Sequence, residues 1–331
     1  MSRFPVTEPF DSGLLEVGVR SPRAADGNQV YYEQVGNPEG MPVLYVHGGP
    51  GAGCSVRARG AFDPQRHRHI LFDQRNCGRS LPHAGDPATD LSANTTENLI
   101  ADMELLREHL GIDAWMLYGG SWGSTLIIAY AERHPERVTS VLIPSVTTTD
   151  REGVYWLYEG AGRIFPEAQD RFREYIPAAE RGEDVFDLLA AYGRLMAHPD
   201  PDVRARTAQE WMTWEDAVIS QEANGSPGAY SARVDDARLA FVRICAHYFS
   251  NIGFLEDGEL IRNAGKLAGI PAIFVHGRMD LGCPAKTAWD LAKAWPGSEL
   301  VVIEDSGHTG STAFEAAIKD AIERLTAINP G

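Results

Sequence analysis

The chain has 331 residues, of which 44% are hydrophobic and 23% charged, a composition ordinary for a globular protein with one large core or two smaller ones. Its formal net charge of −16 argues against a nucleic-acid partner, because a surface that binds phosphates must be basic. No segment approaches the roughly 18 consecutive apolar residues of a membrane span, and residues 1–11 lack the apolar core of a signal peptide. Four cysteines without metal-type spacing are typical of reduced thiols in a cytoplasmic protein.

The first half of the chain alternates short β-rich segments with helical ones. The predicted strands are residues 43–46, 69–72, 115–118 and 138–143, and the predicted helices are residues 94–110 and 124–133. Regular alternation of strand and helix predicts an α/β protein with a mostly parallel central sheet and helices on both faces.

The pattern changes between about residues 148 and 250. There the β-rich runs disappear, and aromatic and charged residues recur at helical spacing, which predicts a helical cap insertion. Alternation then resumes, with strands at 270–275 and 299–303 and helices at 285–294 and 312–325. We therefore predict a core of residues 1–147 and 251–331 and a cap of residues 148–250. The cap would cover the carboxyl ends of the strands, where open α/β sheets bind ligands.

Residues 119–123 read Gly-Gly-Ser-Trp-Gly and fit the pattern G-x-S-x-G. A strand is predicted before them and a helix after them, as this motif requires. Ser121 would lie on a sharp turn that raises its hydroxyl above the sheet, and Trp122 would begin the helix. Glycines around a serine also occur in ordinary turns, so it is the strand–turn–helix setting that indicates a nucleophile.

A serine nucleophile needs a base, and the base needs an orienting carboxylate. In G-x-S-x-G hydrolases these residues follow in the chain order Ser, acid, His. Asp280 and His308 each come a few residues after a predicted strand in the last part of the chain. Either could be an ordinary turn or surface residue, but with Ser121 in this order they predict a serine hydrolase.

Residues 47–51, His-Gly-Gly-Pro-Gly, follow an early predicted strand. A glycine loop there can bring backbone N–H groups close to a substrate carbonyl. We predict the amides of Gly49 and Trp122 as the oxyanion hole, with Gly48 beside the substrate. A phosphate-binding loop is the alternative, but the spacing fits neither G-x-G-x-x-G nor the Walker pattern.

Further motifs accompany these residues along nearly the whole chain. They are Pro-Phe-Asp-Ser-Gly at 9–13, Asp-Gln-Arg at 73–75, Gly-Arg-Ser at 78–80, Trp-x-x-Trp-Glu at 211–215, His-Tyr-Phe at 247–249, Gly-Arg-x-Asp at 277–280, Cys-Pro at 283–284 and Gly-His at 307–308. Together they resemble the proline iminopeptidases, serine peptidases of the α/β-hydrolase fold. The resemblance implies release of N-terminal proline from peptides without a metal or cofactor. It also implies a triad of Ser121, Asp280 and His308, with Glu215 holding the charged imino group.

The chain departs from the family pattern at two positions. Asn76 stands where the family usually has glycine, and asparagine tolerates a left-handed backbone better than most residues. Cys245 stands where the resemblance implies a second carboxylate for the imino group. Losing one charge-assisted hydrogen bond would weaken selection of a charged N-terminus about ten- to a hundredfold. Either Glu215, Asp235 or Asp236 compensates, or the pocket accepts a different substrate.

Trp211 and Trp214 flank Glu215 in sequence. We predict that Trp211 and Trp214 form an apolar wall beside Glu215, as a pocket for a ring with a cation would need. Exposed glutamates are also common in helical caps, so the position of Glu215 alone indicates nothing.

Three functions remain open from the sequence. The first is an aminopeptidase acting on small or short-peptide substrates. The second is a hydrolase of a neutral ester, amide or polycyclic metabolite that uses the same triad. The third is a non-catalytic binding protein, which commonly lacks a triad member, whereas this chain has all three. The oligomeric state is left open.

Overall fold

One eight-stranded sheet forms the centre of the protein. The computed structural model describes residues 4–18, 27–220 and 235–328. The strands are β1 Asp11–Glu16, β2 Gln29–Gly36, β3 Met41–Val46, β4 His67–Phe72, β5 Trp115–Tyr118, β6 Val138–Pro144, β7 Ala272–Gly277 and β8 Ser298–Ile303. They lie in the order β1-β2-β4-β3-β5-β6-β7-β8. Strands β3 to β8 run parallel to one another, whereas β2 is antiparallel to both of its neighbours.

Helices cover both faces of this sheet. They are α1 Thr96–His109, α2 Trp122–Arg133, α3 Arg151–Tyr158, α4 Pro166–Tyr175, α5 Val185–Met196, α6 Pro201–Ile219, α7 Asp236–Phe249, α8 Glu259–Asn263, α9 Ala285–Ala294 and α10 Thr312–Ile328. Successive residues of a strand point to opposite faces. Leu117 therefore packs into the core cluster that includes α1, α2 and α9, and Met116 into the cluster that includes α10. The predicted α/β architecture is confirmed. Of the described helices, none has both the length and the apolar composition needed to cross a bilayer.

Strands β1 and β2 were not predicted from the sequence. Polar residues interrupt the apolar pattern of β2, and Glu33 in its middle is fully buried. Arg59 and Arg79 compensate this charge, with nitrogen–oxygen distances of 3.0 and 2.8 Å. Because those arginines come from other parts of the chain, the strand pattern is not evident locally.

Helices α3 to α7 have a core of their own. It consists largely of aromatic rings, and Phe172 stacks on Tyr192 with 4.5 Å between ring centroids. Asp200 is the N-cap of helix α6: its side chain accepts the N–H of Asp202, and Pro201 is the first residue of the helix. This helix carries Glu215 towards the sheet. The division into a core of residues 1–147 and 251–331 and a cap of residues 148–250 stays a prediction.

Glu132 lies at the end of α2 distant from Ser121, and we expect it to make stability depend on pH. Both of its carboxylate oxygens are buried. Burial, together with the charge of Glu259, raises the pKa of Glu132 from 4.5 to about 8. The unfolded chain releases this proton at lower pH than the folded protein does. The free energy of unfolding should therefore fall by about 1.4 kcal/mol for each pH unit between pH 4.5 and about pH 8.

Glu132→Gln should remove that slope and stabilise the protein at pH 8. Urea unfolding at pH 5 and pH 8 measures both effects. The exposed Glu136→Gln is the matched control on the following turn. If the free energy of unfolding of Glu132→Gln fell with pH as steeply as that of the wild-type protein, the role of this carboxyl group would be contradicted.

Candidate active site

Ser121 lies on a tight turn between β5 and α2. Its backbone has φ 54° and ψ −133°, which is strained for a residue with a β-carbon. A β-carbon on Gly120 would lie 2.3 Å from the carbonyl oxygen of Pro144, and one on Gly123 would lie 2.3 Å from that of Val46. Only glycine fits at either position. The two glycines therefore allow the packed turn that holds Ser121 at the carboxyl edge of the sheet.

Asp280 and His308 meet from two loops, which follow β7 and β8. Nδ1 of His308 lies 2.9 Å from Oδ2 and 3.1 Å from Oδ1 of Asp280. The backbone N–H of Cys283 donates to Oδ1 of Asp280 at 2.7 Å. An ionised carboxylate only accepts hydrogen bonds, so Nδ1 of His308 carries the proton. Its Nε2 is left as the basic nitrogen.

Burial and charge compete at this pair. Burial raises the pKa of Asp280, but His308, together with His276 and the N–H of Cys283, holds it below its usual value. Burial lowers the pKa of His308, but the charge and hydrogen bonds of its neighbours, Asp280 foremost, raise it well above its usual value. The carboxylate thus stabilises the imidazolium that forms when a general base takes a proton.

Ser121 and His308 open into one cavity at the carboxyl ends of the strands. Its unoccupied volume, with the space open to solvent included, is about 480 Å³, and its lining includes Gly49, Trp122 and Glu215. The predicted nucleophile and base and both predicted oxyanion residues therefore line the same space.

Asp280, Cys283 and His308 are, among the described residues, the one group whose donor atoms could together hold a metal ion, since these atoms lie within 4.8 Å of one another. Both oxygens of Asp280 already accept hydrogen bonds, from Nδ1 of His308 and from the N–H of Cys283. This arrangement fits an oriented histidine better than a set of metal ligands.

Gln74 joins the two segments of the predicted oxyanion hole. Its backbone N–H donates to Nε2 of His47 at 3.0 Å, and its side-chain amide donates to the carbonyl oxygen of His47 at 2.8 Å. Its Oε1 accepts the indole N–H of Trp122 at 2.9 Å. Gln74 is buried, so water does not compete for these bonds. They fix residues 47–51 relative to the start of α2.

Glu215 is the only acidic residue among the described residues that line this cavity. Its Oε1 accepts the hydroxyl of Tyr158 at 2.6 Å and the indole N–H of Trp211 at 3.1 Å. Burial raises the pKa of Glu215, although these two hydrogen bonds oppose the rise. Within the described part of the chain no hydrogen bond reaches Oε2, which leaves that oxygen for a ligand. A cationic ligand would compensate the burial of the charge.

The chain is similar to known proteins along nearly its whole length. Residues 41–311 match the family described as alpha/beta hydrolase fold. The proline iminopeptidase of Xylella fastidiosa is 44% identical over 321 residues, which cover 96% of each chain. That of Arabidopsis thaliana is 40% identical over 324 residues, covering 97% of this chain and 81% of the relative. The chain belongs to the proline iminopeptidase family.

The resemblance stated from the motifs is thereby confirmed. Among solved structures, a proline iminopeptidase-related protein from Thermus thermophilus is similar over 96% of this chain and 97% of that one. It has 25% sequence identity and a TM-score of 0.54.

Two residues of this chain that were predicted to bind substrate lie behind the cavity wall and do not line it. Trp214 is buried in the cap core and donates its indole N–H to the carbonyl oxygen of Leu157 at 3.1 Å. Cys245 is also buried, and its thiol donates to the carbonyl oxygen of Pro50 at 3.3 Å. Neither side chain lines the cavity. Gly48, in contrast, lines an adjoining space beside Ser121.

Asn76, the other departure from the proline iminopeptidase pattern, has the backbone that glycine would allow. Its φ is 64°, in the left-handed region. Its side-chain amide donates to Asn28 at 3.0 Å and to the carbonyl oxygen of Pro82 at 2.9 Å. The asparagine therefore adopts the required turn and also ties two neighbouring segments together.

His276 was missed from the sequence and supports the loop that carries Asp280. The N–H of Val146 donates to Nδ1 of His276 at 3.1 Å, and Nε2 of His276 contacts the carbonyl oxygen of Cys283 at 2.7 Å. This pattern requires a neutral imidazole with its proton on Nε2. Burial also lowers the pKa of His276. No local signal other than its place at the end of β7 indicates this role.

Gln74→Ala should lower kcat about 10- to 100-fold with little change in KM. Removing an oxyanion donor outright costs about 10²- to 10³-fold in kcat, and losing the tether that positions two donors should cost less. Gln74→Glu keeps an acceptor for Trp122 but places an oxygen against the carbonyl of His47, so it should be impaired as well. Steady-state kinetics and the melting temperature of each variant test this.

The matched control is Gln34→Ala, which removes another buried glutamine, from strand β2. It should leave kcat unchanged. A Gln74→Ala protein with a lower melting temperature but normal kcat would assign Gln74 to stability alone.

Proposed function

We propose that the protein is an aminopeptidase that releases an N-terminal proline, with Ser121, His308 and Asp280 as its catalytic triad. The observation that carries this proposal is the buried carboxylate of Glu215 in the cavity of Ser121 and His308. A carboxylate in an apolar, buried position favours a cationic partner, and the free N-terminus of a peptide supplies one. The relatives named proline iminopeptidase support the choice of proline.

The shape of the cavity supports a small cyclic residue. Val154, Leu157 and Phe249 line the same cavity as Glu215 and Ser121 and give it apolar walls. The secondary ammonium of an N-terminal proline carries two N–H donors, and Oε2 of Glu215 can accept one of them. The proline ring would pack against the apolar walls while its ammonium group contacts the carboxylate of Glu215, and these two contacts together fix its orientation.

In the proposed reaction Oγ of Ser121 bonds to the carbonyl carbon of proline while Nε2 of His308 takes its proton. The backbone N–H groups of Gly49 and Trp122 donate to the oxygen that becomes negative. The imidazolium of His308 then gives its proton to the leaving amine as the C–N bond breaks. Water, deprotonated by His308, adds to the prolyl ester and releases proline with the Ser121 hydroxyl restored. Asp280 stays ionised throughout.

A substrate panel tests the proposal. L-Proline p-nitroanilide should be hydrolysed faster than the alanine analogue, and N-acetylproline p-nitroanilide should be at least about 100-fold slower, because it lacks the charge that Glu215 binds. Ser121→Ala should lose turnover, whereas the exposed Ser55→Ala should keep it. Absence of turnover of L-proline p-nitroanilide by the folded wild-type protein would contradict the proposal.

A neutral substrate cleaved by the same triad is the second candidate, and Cys245 is the observation that favours it. The thiol of Cys245 is directed to the carbonyl oxygen of Pro50, so this position supplies no second charge for an amine. This candidate expects simple esters or N-blocked amides to be the best substrates in the same panel. The order of rates therefore separates the two candidates.

We further infer a cytoplasmic location and a small-molecule or short-peptide substrate, with no nucleic-acid partner. All four cysteines are free, as is usual in a reducing compartment. The net charge of −16 supports the exclusion of nucleic acid.

A further inference from the structure

A second cavity adjoins the first at the reacting groups. With the space open to solvent included, its unoccupied volume is about 1040 Å³, against about 480 Å³ for the first. Five residues line both spaces: Gly49, Ser121, Glu215, Ile219 and His308. A carbonyl carbon bonded to Ser121 would therefore lie at the junction. One cavity is then available to the acyl residue that contains this carbon, and the other to the leaving group bonded to it.

The wall of the larger cavity combines aromatic and aliphatic side chains with polar ones, among them Thr309 and Glu315, and its apolar members Tyr118, Phe314 and Ile318 are nearly buried. Tyr45 and Tyr118 come from the carboxyl ends of β3 and β5, and their ring centroids are 5.4 Å apart. Phe314 and Ile318 come from the first turns of α10 and lie on the same face of that helix. Apolar walls that converge on a few polar reacting groups are typical of a ligand site.

An aminopeptidase needs two unequal spaces around its nucleophile. The acyl side holds a single residue, whereas the leaving side must admit peptides of any length. Glu215 and His308 line both cavities, so the two spaces differ in their other walls. Val154 and Leu157 line only the smaller cavity, which suits the single residue of the acyl side. Thr309 and Phe314 line only the larger cavity, which leaves the greater space for the leaving peptide.

We propose that the larger cavity is the leaving-group subsite and that it selects peptides whose second residue is aromatic or large and aliphatic. This inference rests on the proposed aminopeptidase function. Transfer of such a side chain from water to the wall formed by Tyr45, Tyr118, Phe314 and Ile318 should raise kcat/KM about 10- to 100-fold relative to glycine.

The test compares L-prolyl-L-phenylalanine amide with L-prolylglycine amide, which differ only in the second side chain. The wild-type protein should have the higher kcat/KM for the phenylalanine substrate by the factor given above. Phe314→Leu keeps an apolar residue and should reduce this ratio several-fold. Phe249→Leu in the smaller cavity is the matched control and should affect both substrates equally. Equal kcat/KM values in the wild-type protein, or an unchanged ratio in Phe314→Leu, would overturn the inference.

If the protein were not an aminopeptidase, neither peptide would be hydrolysed, and this result differs from every outcome that concerns the subsite alone. Calorimetry of the intact protein with phenylalanine amide and glycinamide measures the subsite without chemistry. Phenylalanine amide should bind at least about tenfold more tightly, and Phe314→Leu should weaken it. Equal affinities of the two amides would reject the subsite whatever the reaction is.

Discussion

Asp280→Asn should lower kcat by about 10⁴-fold and leave the fold intact. Asp280 accepts the hydrogen bond of Nδ1 of His308 and so keeps the proton off Nε2. An asparagine of the same shape can donate its own N–H to Nδ1, which moves the imidazole proton to Nε2. Ser121 then has no base, while the backbone hydrogen bond from Cys283 can persist at the amide oxygen. Steady-state kinetics on L-proline p-nitroanilide, with the melting temperature as a check on folding, measures the loss.

The pH profile of the same variant provides an independent readout. Activity requires neutral His308, and Asp280 helps to raise the pKa of His308. Without that charge the pKa falls, so the acid limb of kcat/KM should move to lower pH even as the rate drops. Asp305→Asn, an exposed aspartate in the loop before His308, is the matched control and should keep the wild-type rate and profile. A fully folded Asp280→Asn protein with near wild-type kcat would show that another group orients the histidine.

The position of the catalytic residues at one edge of the sheet could be predicted because each of them lies close in sequence to a strand. Parallel strands present their carboxyl ends at one edge. Ser121, Asp280 and His308 each follow a recognisable strand within a few residues, so the topology alone places them at that edge. The strand bounds needed for this argument are close to those observed, and those of Trp115–Tyr118 are the same.

The side chains that support the site could not be predicted, because their contacts join distant segments. Gln74 meets Trp122 at a separation of 48 residues, and Tyr158 reaches Glu215 across 57. Neither pair has a spacing that marks a shared helix face or strand end. Such contacts depend on how the cap and the loops pack in three dimensions.

The misplacement of Trp214 has a simple geometric reason. Consecutive residues of a helix point about 100° apart, and in α6 this turns the side chain of Trp214 into the cap core while Glu215 faces the cavity. Trp211, four residues earlier, shares a face with Glu215 and donates to it. Of the two tryptophans predicted beside Glu215, helical spacing therefore favours Trp211 over Trp214 as the neighbour of the carboxylate.

Glu215→Gln should lower kcat/KM for L-proline p-nitroanilide by about 10²- to 10⁴-fold and leave that for N-acetylproline p-nitroanilide unchanged or higher. The glutamine oxygen can still accept from Tyr158 and Trp211, so mainly the negative charge is lost. The ammonium of the substrate would then be buried without a counter-ion, which costs about 3–5 kcal/mol. Kinetics on the matched pair of free and blocked substrates separates this charge effect from any general damage.

The melting temperature provides a second way to distinguish the loss of charge from general damage to the protein. Because burial raises the pKa of Glu215, a neutral glutamine should leave the melting temperature equal or higher, so lost activity would not come from unfolding. Glu210→Gln is the matched control on the same helix, since Glu210 pairs with Arg171 at 2.6 Å outside the cavity. It should affect neither substrate. Equal losses on both substrates in Glu215→Gln would make Glu215 a structural residue of the cap, and no loss would mean that the amine is bound elsewhere.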